Sequence, residues 1–391
     1  MVGKAIKTKL HPRMIPGFES CACIPKFFFK IHFTLSMRLA YSKELELLKY
    51  KVNSLIFGER DLKQLPFDIY NYTSINNWRG VAEITVNALL LIFGLFTLYW
   101  AISNNYWLLF ILIVPLSFLF VRLFILQHEL GHGNLFKKKR HNDWVGIFTG
   151  IVLFTPYYYW QKAHLIHHVS GGNLDRRPWA GDIEVLSVRE YKTQTKWNQL
   201  LYRLYRNSLV MFFLGSIYVF MIDQRFFRQR KGLGKKERRS VIVTNIGIVI
   251  LYGSLIALGG IKFFLIAILL PQWLSGALGI YLFYVQHNFK NRYFVSSKEW
   301  NLQDSALKGS TFYDLPQPLK WLTANIGYHH IHTLVPRIPF YRLPKCHEEN
   351  NCFHSAPRFG LKHMSELISL KLYDEERGEM VTWKEYKANY L

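Results

Sequence analysis

Apolar residues in this 391-residue chain gather in long unbroken blocks, and lysines and arginines gather between them. Four blocks reach the roughly 20 residues a helix needs to cross a bilayer: Val81–Ile102, Trp107–Leu126, Val241–Leu258 and Phe263–Gln286. Only SNNY separates the first two, and only GGIK the last two. Each pair therefore predicts a helical hairpin with a tight connection. Two shorter apolar runs, Trp144–Trp160 and Leu209–Ile222, are flanked by aromatic and charged residues and predict helices lying at the membrane interface.

Charge orients the hairpins. The two connections carry a single lysine, whereas FKKKRH, LDRR, QRFFRQRKGLGKKERR and roughly the last hundred residues lie on the other side. The positive-inside tendency places that side in the cytoplasm. The expected fold is an all-α integral membrane protein: four transmembrane helices in two hairpins, under a cytoplasmic helical cap. The cap would draw on the long loop from Lys137 to Arg239 and on the segment from His287 onward.

Composition adjusts the picture in three places. The formal charge of +23 suits a nucleic-acid partner or an anionic membrane surface. Clustering of that charge beside apolar blocks favours the membrane. The run RQRKGLGKKERR, directly before a predicted span, reads as an orientation signal and lipid contact, and no nucleic-acid partner is expected. The four cysteines, Cys21, Cys23, Cys346 and Cys352, are too few for a disulfide scaffold and read as reduced thiols. Residues 1–60 form a basic extension without a clean signal peptide, either a membrane-surface segment or a targeting segment; residues 61–391 form the main domain.

The candidate chemistry is histidine. HELGHG carries His128 and His132 on one helix face, with Glu129 beside the first. HLIHH carries His164, His167 and His168; VQHNF carries His287; YHHIH carries His329, His330 and His332. Neutral imidazole is the commonest metal ligand, and these boxes all fall on the predicted cytoplasmic side. A catalytic zinc uses about three protein ligands, so this set predicts two metal ions in a nitrogen-rich shell suited to iron, copper or zinc. Glu129 is expected to orient a metal-bound histidine from behind. HELGH by itself also fits an intramembrane zinc protease, with Glu129 as general base. That class needs a further ligand, usually an aspartate, and none of the four predicted spans contains one.

The boxes, together with GNLDRRPWAGDIEVLSVREY and KWLTANIGYHHIHTLVPRIPFYRLPKCHE, resemble the integral-membrane fatty acid desaturases, above all the bacterial acyl-lipid enzymes, from about residue 60 to 350. The resemblance implies a di-iron oxidoreductase that uses O2 and two electrons to unsaturate a long-chain acyl group, on a lipid or on coenzyme A, of delta-9 or delta-12 (omega-6) type. It implies His128, His132, His164, His167, His168, His287, His329 and His332 as iron ligands. It also implies an external donor, ferredoxin or cytochrome b5; the cytochrome b5 signature His-Pro-Gly-Gly does not occur in the sequence. His330 and Asp175 are possible further site residues. Arg176 and Arg177 beside Asp175 read either as site residues or as lipid-headgroup contacts or ion pairs. The chain departs from the family pattern H-x-x-H-H at its last position, which is Thr333. That departure leaves three outcomes: a working centre with water in that position, a shift of reaction such as hydroxylation, or a relic that has lost an iron.

Overall fold

The computed structural model describes residues 69–179, 183–228 and 233–391; the basic extension, with Cys21 and Cys23, lies outside the described residues. The described chain is mostly helical. Three helical stretches, Asn77–Ser103, Phe110–His132 and Lys235–His287, are long and apolar enough to cross a membrane. A bent pair, Lys196–Tyr205 with Val210–Arg225, adds one more if it counts as a single broken crossing.

The first hairpin pairs α1 (Asn77–Ser103) with α2 (Ile113–His132). Asn76 caps α1 by accepting from the Arg79 N–H at 3.2 Å. Between the helices, Asn87 reaches the Leu119 carbonyl at 3.4 Å, and Gly94 leaves room for Leu116. The outer face of α1 exposes Trp78, Leu89, Ile92, Phe93 and Phe96. In a folded chain such a stripe is stable against lipid, not water. α2 runs past the predicted limit at Leu126 and ends at Gly133, whose φ of 79° closes the helix.

α3 (Lys139–Val152) and α4 (Tyr157–His168) follow, then α5 (Val188–Thr193), α6 (Lys196–Tyr205) and the long α7 (Lys235–Phe263), which continues through a π-helical stretch, Phe264–Leu269, into α8 (Leu270–His287). Gly260, with φ 81° and ψ 162°, breaks this run. Those angles are open almost only to glycine. The chain doubles back there: Gln272 Nε2 donates to the Tyr252 hydroxyl at 2.7 Å, although 20 residues of straight helix would separate them by about 30 Å. GGIK is thus the reversal its sequence predicts. Pro271 near the start of α8 cannot donate to the preceding turn, which accounts for π geometry just before it.

Beyond α8 come α9 (Leu302–Leu307), β1 (Phe312–Tyr313), α10 (Gln317–Leu322), α11 (His329–Leu334), α12 (Leu343–Glu349), β2 (Arg358–Phe359), α13 (Met364–Ser369), β3 (Leu370–Asp374), β4 (Glu379–Thr382) and α14 (Trp383–Tyr390). The all-α expectation is corrected here. β1 pairs with β2 in parallel, and β3 with β4 antiparallel around Gly378, whose φ is 68°. Buried Arg206, just past α6, locks this hairpin to α8: Nη2 donates to Tyr284 Oη, Asn288 Oδ1 and the Leu370 carbonyl at 3.2, 2.9 and 3.0 Å.

Candidate metal centre

Two side chains on α4 set the site. Tyr157 donates to the Leu130 carbonyl at 2.8 Å and Gln161 to the Gly131 carbonyl at 2.6 Å. Both acceptors are carbonyls of the last turn of α2, where the regular helical N–H partners run out; the Leu130 carbonyl also accepts the Gly133 N–H at 3.1 Å. Tyr157, Gln161, His164 and His168 follow one face of α4, so the same contact that docks the helices brings His164 and His168 to His128 and His132. Gly131 permits the approach: a Cβ there would meet the Trp160 ring at 3.3 Å.

The third box arrives through backbone contacts. Asn134 Nδ2 donates to the Pro336 carbonyl at 2.6 Å, and the Phe340 N–H donates to Glu129 Oε2 at 3.0 Å. These fasten the segment after α11 to the end of α2. His287, the last residue of α8, is placed by Gln286, whose side chain donates to the Ile326 carbonyl at 3.1 Å and whose own carbonyl accepts from Thr311 N–H at 3.1 Å.

Eight histidines form two neighbouring groups. His128, His132, His164, His168 and His332 make one; His167, His287 and His329 make the other; within each, one ligand atom per residue lies within 4.8 Å of the rest. The groups touch: ring centroids of His329 and His332 stand 5.6 Å apart, those of His167 and His168 5.7 Å.

The nitrogens do not satisfy one another. His164 Nε2 lies 3.1 Å from His132 Nε2 and 2.9 Å from His168 Nε2. A neutral imidazole nitrogen offers one proton or one lone pair in the ring plane, so it serves only one such neighbour. Neither ring nitrogen of fully buried His332 makes a hydrogen bond. Buried polar atoms left this way are costly, and a cation shared among the lone pairs resolves the crowding. Burial first, and neighbouring imidazoles second, hold His164, His168 and His332 well below the usual histidine range. They are neutral, as ligation requires. The residues present fit a metal.

Glu129 is wholly buried, and its carboxylate is engaged: Oε2 accepts from Phe340 N–H and from Asn134 Nδ2 at 3.2 Å, while Oε1 lies 3.3 Å from His128 Nδ1 and 4.0 Å from His332 Nδ1. Those bonds and that seclusion suit orientation of His128 and not activation of a water. His287 has a comparable support, its Nδ1 lying 3.2 Å from the Gly309 carbonyl.

Other expected residues lie elsewhere. His330 turns away from its neighbours and pairs with His347, Nε2 to Nδ1, at 3.3 Å. Asp175 accepts from the Ser297 N–H at 2.7 Å, and Arg177 forms a two-pronged ion pair with Glu190 at 2.7 and 2.9 Å. Neither His330 nor Asp175 joins a histidine group. The Thr333 hydroxyl stands 3.2 Å from Ser310 Oγ. The sequence reading missed Tyr157, Gln161, Asn134, Gly309 and Ser310. Only Tyr157 and Gln161 left a signal, their helical spacing ahead of His164 and His168.

A family model described as fatty acid desaturase matches residues 105–363. A fatty acid desaturase of Bacillus subtilis is 40% identical over 303 residues, 77% of this chain and 85% of the relative. An sn-1 oleoyl-lipid 12-desaturase of Synechocystis sp. is 26% identical over 268 residues, 65% of this chain and 73% of the relative. An sn-1 acyl-lipid omega-3 desaturase (ferredoxin) of Synechocystis sp. is 35% identical over 88 residues, 22% of this chain and 23% of the relative. With its long apolar helices and paired histidine groups, this multi-pass membrane chain belongs to the fatty acid desaturase family and is an oxidoreductase of that kind.

Proposed function

We propose that the chain unsaturates a long-chain fatty acyl group carried on a membrane lipid, near the middle of the chain, using two iron ions held by the eight grouped histidines. The observation that carries this reading is the pair of adjacent groups, five imidazoles beside three, with nitrogens converging inside each. The lipid carrier and the delta-12 (omega-6) position rest on the names of relatives such as the oleoyl-lipid 12-desaturase; the delta-9 alternative rests on the family resemblance alone. Four crossings in two hairpins, with the site on the cytoplasmic face under the cap, follow from the charge pattern.

Bound iron, with O2 and two electrons, supplies an oxidant able to take hydrogens from unactivated methylenes, which no side chain can do. The protein's own part is to hold and to exclude. Neutral imidazoles donate nitrogen and resist oxidation. Glu129 and the Gly309 carbonyl face the Nδ1 atoms of His128 and His287, which turns the Nε2 edges inward. Burial of His167, His168, His329 and His332 keeps bulk water from the groups. The electrons come from a separate one-electron carrier, ferredoxin or cytochrome b5; one relative's name includes ferredoxin.

Iron and zinc per polypeptide, measured on detergent-purified protein, test the reading. Close to two irons is expected, with an unsaturated acyl lipid as product. One zinc without iron overturns it. One iron or none in folded protein identifies a centre disabled at Thr333, and hydroxylated lipid instead of alkene identifies the related hydroxylase.

A further inference from the structure

We infer that Thr333 and Ser310 form a hydroxyl support that positions His287, and that the three-histidine group is the weaker of the two metal positions. This rests on the two-metal reading above.

Three observations lead there. First, the groups are unequal: five imidazoles against His167, His287 and His329. Each nitrogen donor adds affinity, so the smaller group holds its ion less tightly and leaves coordination positions open. Second, the edges of His287 are distinguishable. Its Nε2 lies 2.9 Å from His329 Nε2, inside the group, while Nδ1 faces the Gly309 carbonyl at 3.2 Å and Ser310 Oγ at 3.5 Å. Third, Ser310 Oγ lies 3.2 Å from Thr333 Oγ1, and both residues are buried. The Thr333 hydroxyl is therefore spent behind His287, on its Nδ1 side.

Nδ1–H donates to Gly309, which leaves Nε2 as the lone-pair nitrogen. Ser310 caps the same edge and is held in turn by Thr333, whose branched side chain has few rotamers. The backbone under this support packs closely on the preceding turn: a Cβ at Gly309 would lie 2.3 Å from the Ser305 carbonyl oxygen. Thr333 acts through His287: it is a positioning residue, and it stands where the family pattern has a histidine.

Metal-free full-length protein in detergent, titrated anaerobically with Fe(II) and followed by calorimetry, tests this. Wild type should bind in two steps, one tight and one weaker. Thr333→Val and Ser310→Ala should each weaken only the second step, by about ten- to a hundred-fold, the usual cost of losing a ligand's supporting partner. Thr333→Ser, which keeps the hydroxyl, should restore it. Thermal midpoints of the metal-free variants should match wild type, so a folding defect is recognisable. Two wild-type steps that the variants leave unchanged, or weaken equally, overturn the inference alone. Two irons bound in a single wild-type step overturn the inference alone, whereas one iron or none per wild-type polypeptide removes the two-metal reading and the inference with it.

Discussion

Glu129 Oε2 accepts the backbone N–H of Phe340 at 3.0 Å, joining the first histidine box to the loop beyond the third across 211 positions of sequence. One carboxylate thus does two jobs. It pins that loop, and its other oxygen faces His128 Nδ1 at 3.3 Å. Glu129→Gln keeps the shape but presents an amide to one of these partners. With an N–H group toward His128, the oxygen that stands 3.3 Å from its Nδ1 gives way to a donor, which disfavours the tautomer that carries its proton there. We expect Glu129→Gln to stay folded and bind iron about ten- to a hundred-fold more weakly. Iron retained through dialysis against a chelator checks this; retention equal to wild type contradicts it.

His330 and His332 occupy one motif but separate surroundings. His332 lies in the five-histidine group, whereas His330 hydrogen-bonds His347 at 3.3 Å. The same substitution should therefore have different results. His332→Gln should lower the iron bound per polypeptide, and His330→Gln should leave it unchanged. Iron analysis of the two purified variants decides, and loss in both would show that the separation does not hold in solution.

The contrast between His330 and His332 also marks how far the sequence can be read. Apolar blocks, tight connections and i,i+4 histidines are local features: the four long blocks fall on the long apolar helices, whereas the shorter run Trp144–Trp160, read as one helix, is divided between α3 and α4. Partition of the histidines is not local. That His167 leaves His164 and His168 to join His287 and His329 depends on how α4, α8 and α11 meet. The hydrogen bonds deciding this, Asn134 to Pro336 and Gln286 to Ile326, link residues 202 and 40 positions apart. The β3–β4 hairpin was hidden for a different reason. Its strand LKLYD is buried at every position, so it lacks the alternation that reveals a half-exposed strand.

Acid should loosen the metal-free protein. His168 and His332 have pKa values held well below the ordinary 6.5 by burial and by neighbouring imidazoles. The unfolded chain takes up protons at these residues once pH drops below about 6.5, and the folded chain does not. Stability is therefore whole above that pH and declines below it, by about 1.4 kcal/mol per pH unit for each residue. Thermal midpoints of metal-free protein between about pH 7.5 and 5.5 should fall on the acid side of that range. A flat profile would mean that these rings are exposed or already charged.

Charge buried inside the first hairpin gives an asymmetric prediction. Arg122, 1% exposed, pairs with Glu83 and donates to the Trp321 carbonyl, with its guanidinium 4.0 Å over the Trp321 ring. Glu83 has a second cation, Arg79, at 2.7 Å, and Arg79 is more than half exposed. Removing either partner of the buried pair is thus not equivalent. Arg122→Met leaves Glu83 with Arg79 and puts an apolar side chain in an apolar place. The expected loss is about 1 kcal/mol, the scale of a half-exposed pair. Glu83→Ala strands a buried guanidinium left with the Trp321 carbonyl and the Trp321 and Phe340 rings. The expected loss is about 3–5 kcal/mol, as for other buried pairs broken from one side. Unfolding midpoints in one detergent rank the two variants. Arg122→Met at least as damaging as Glu83→Ala would mean that Arg79 does not take over, and that the hairpin depends on Arg122 for its link to α10.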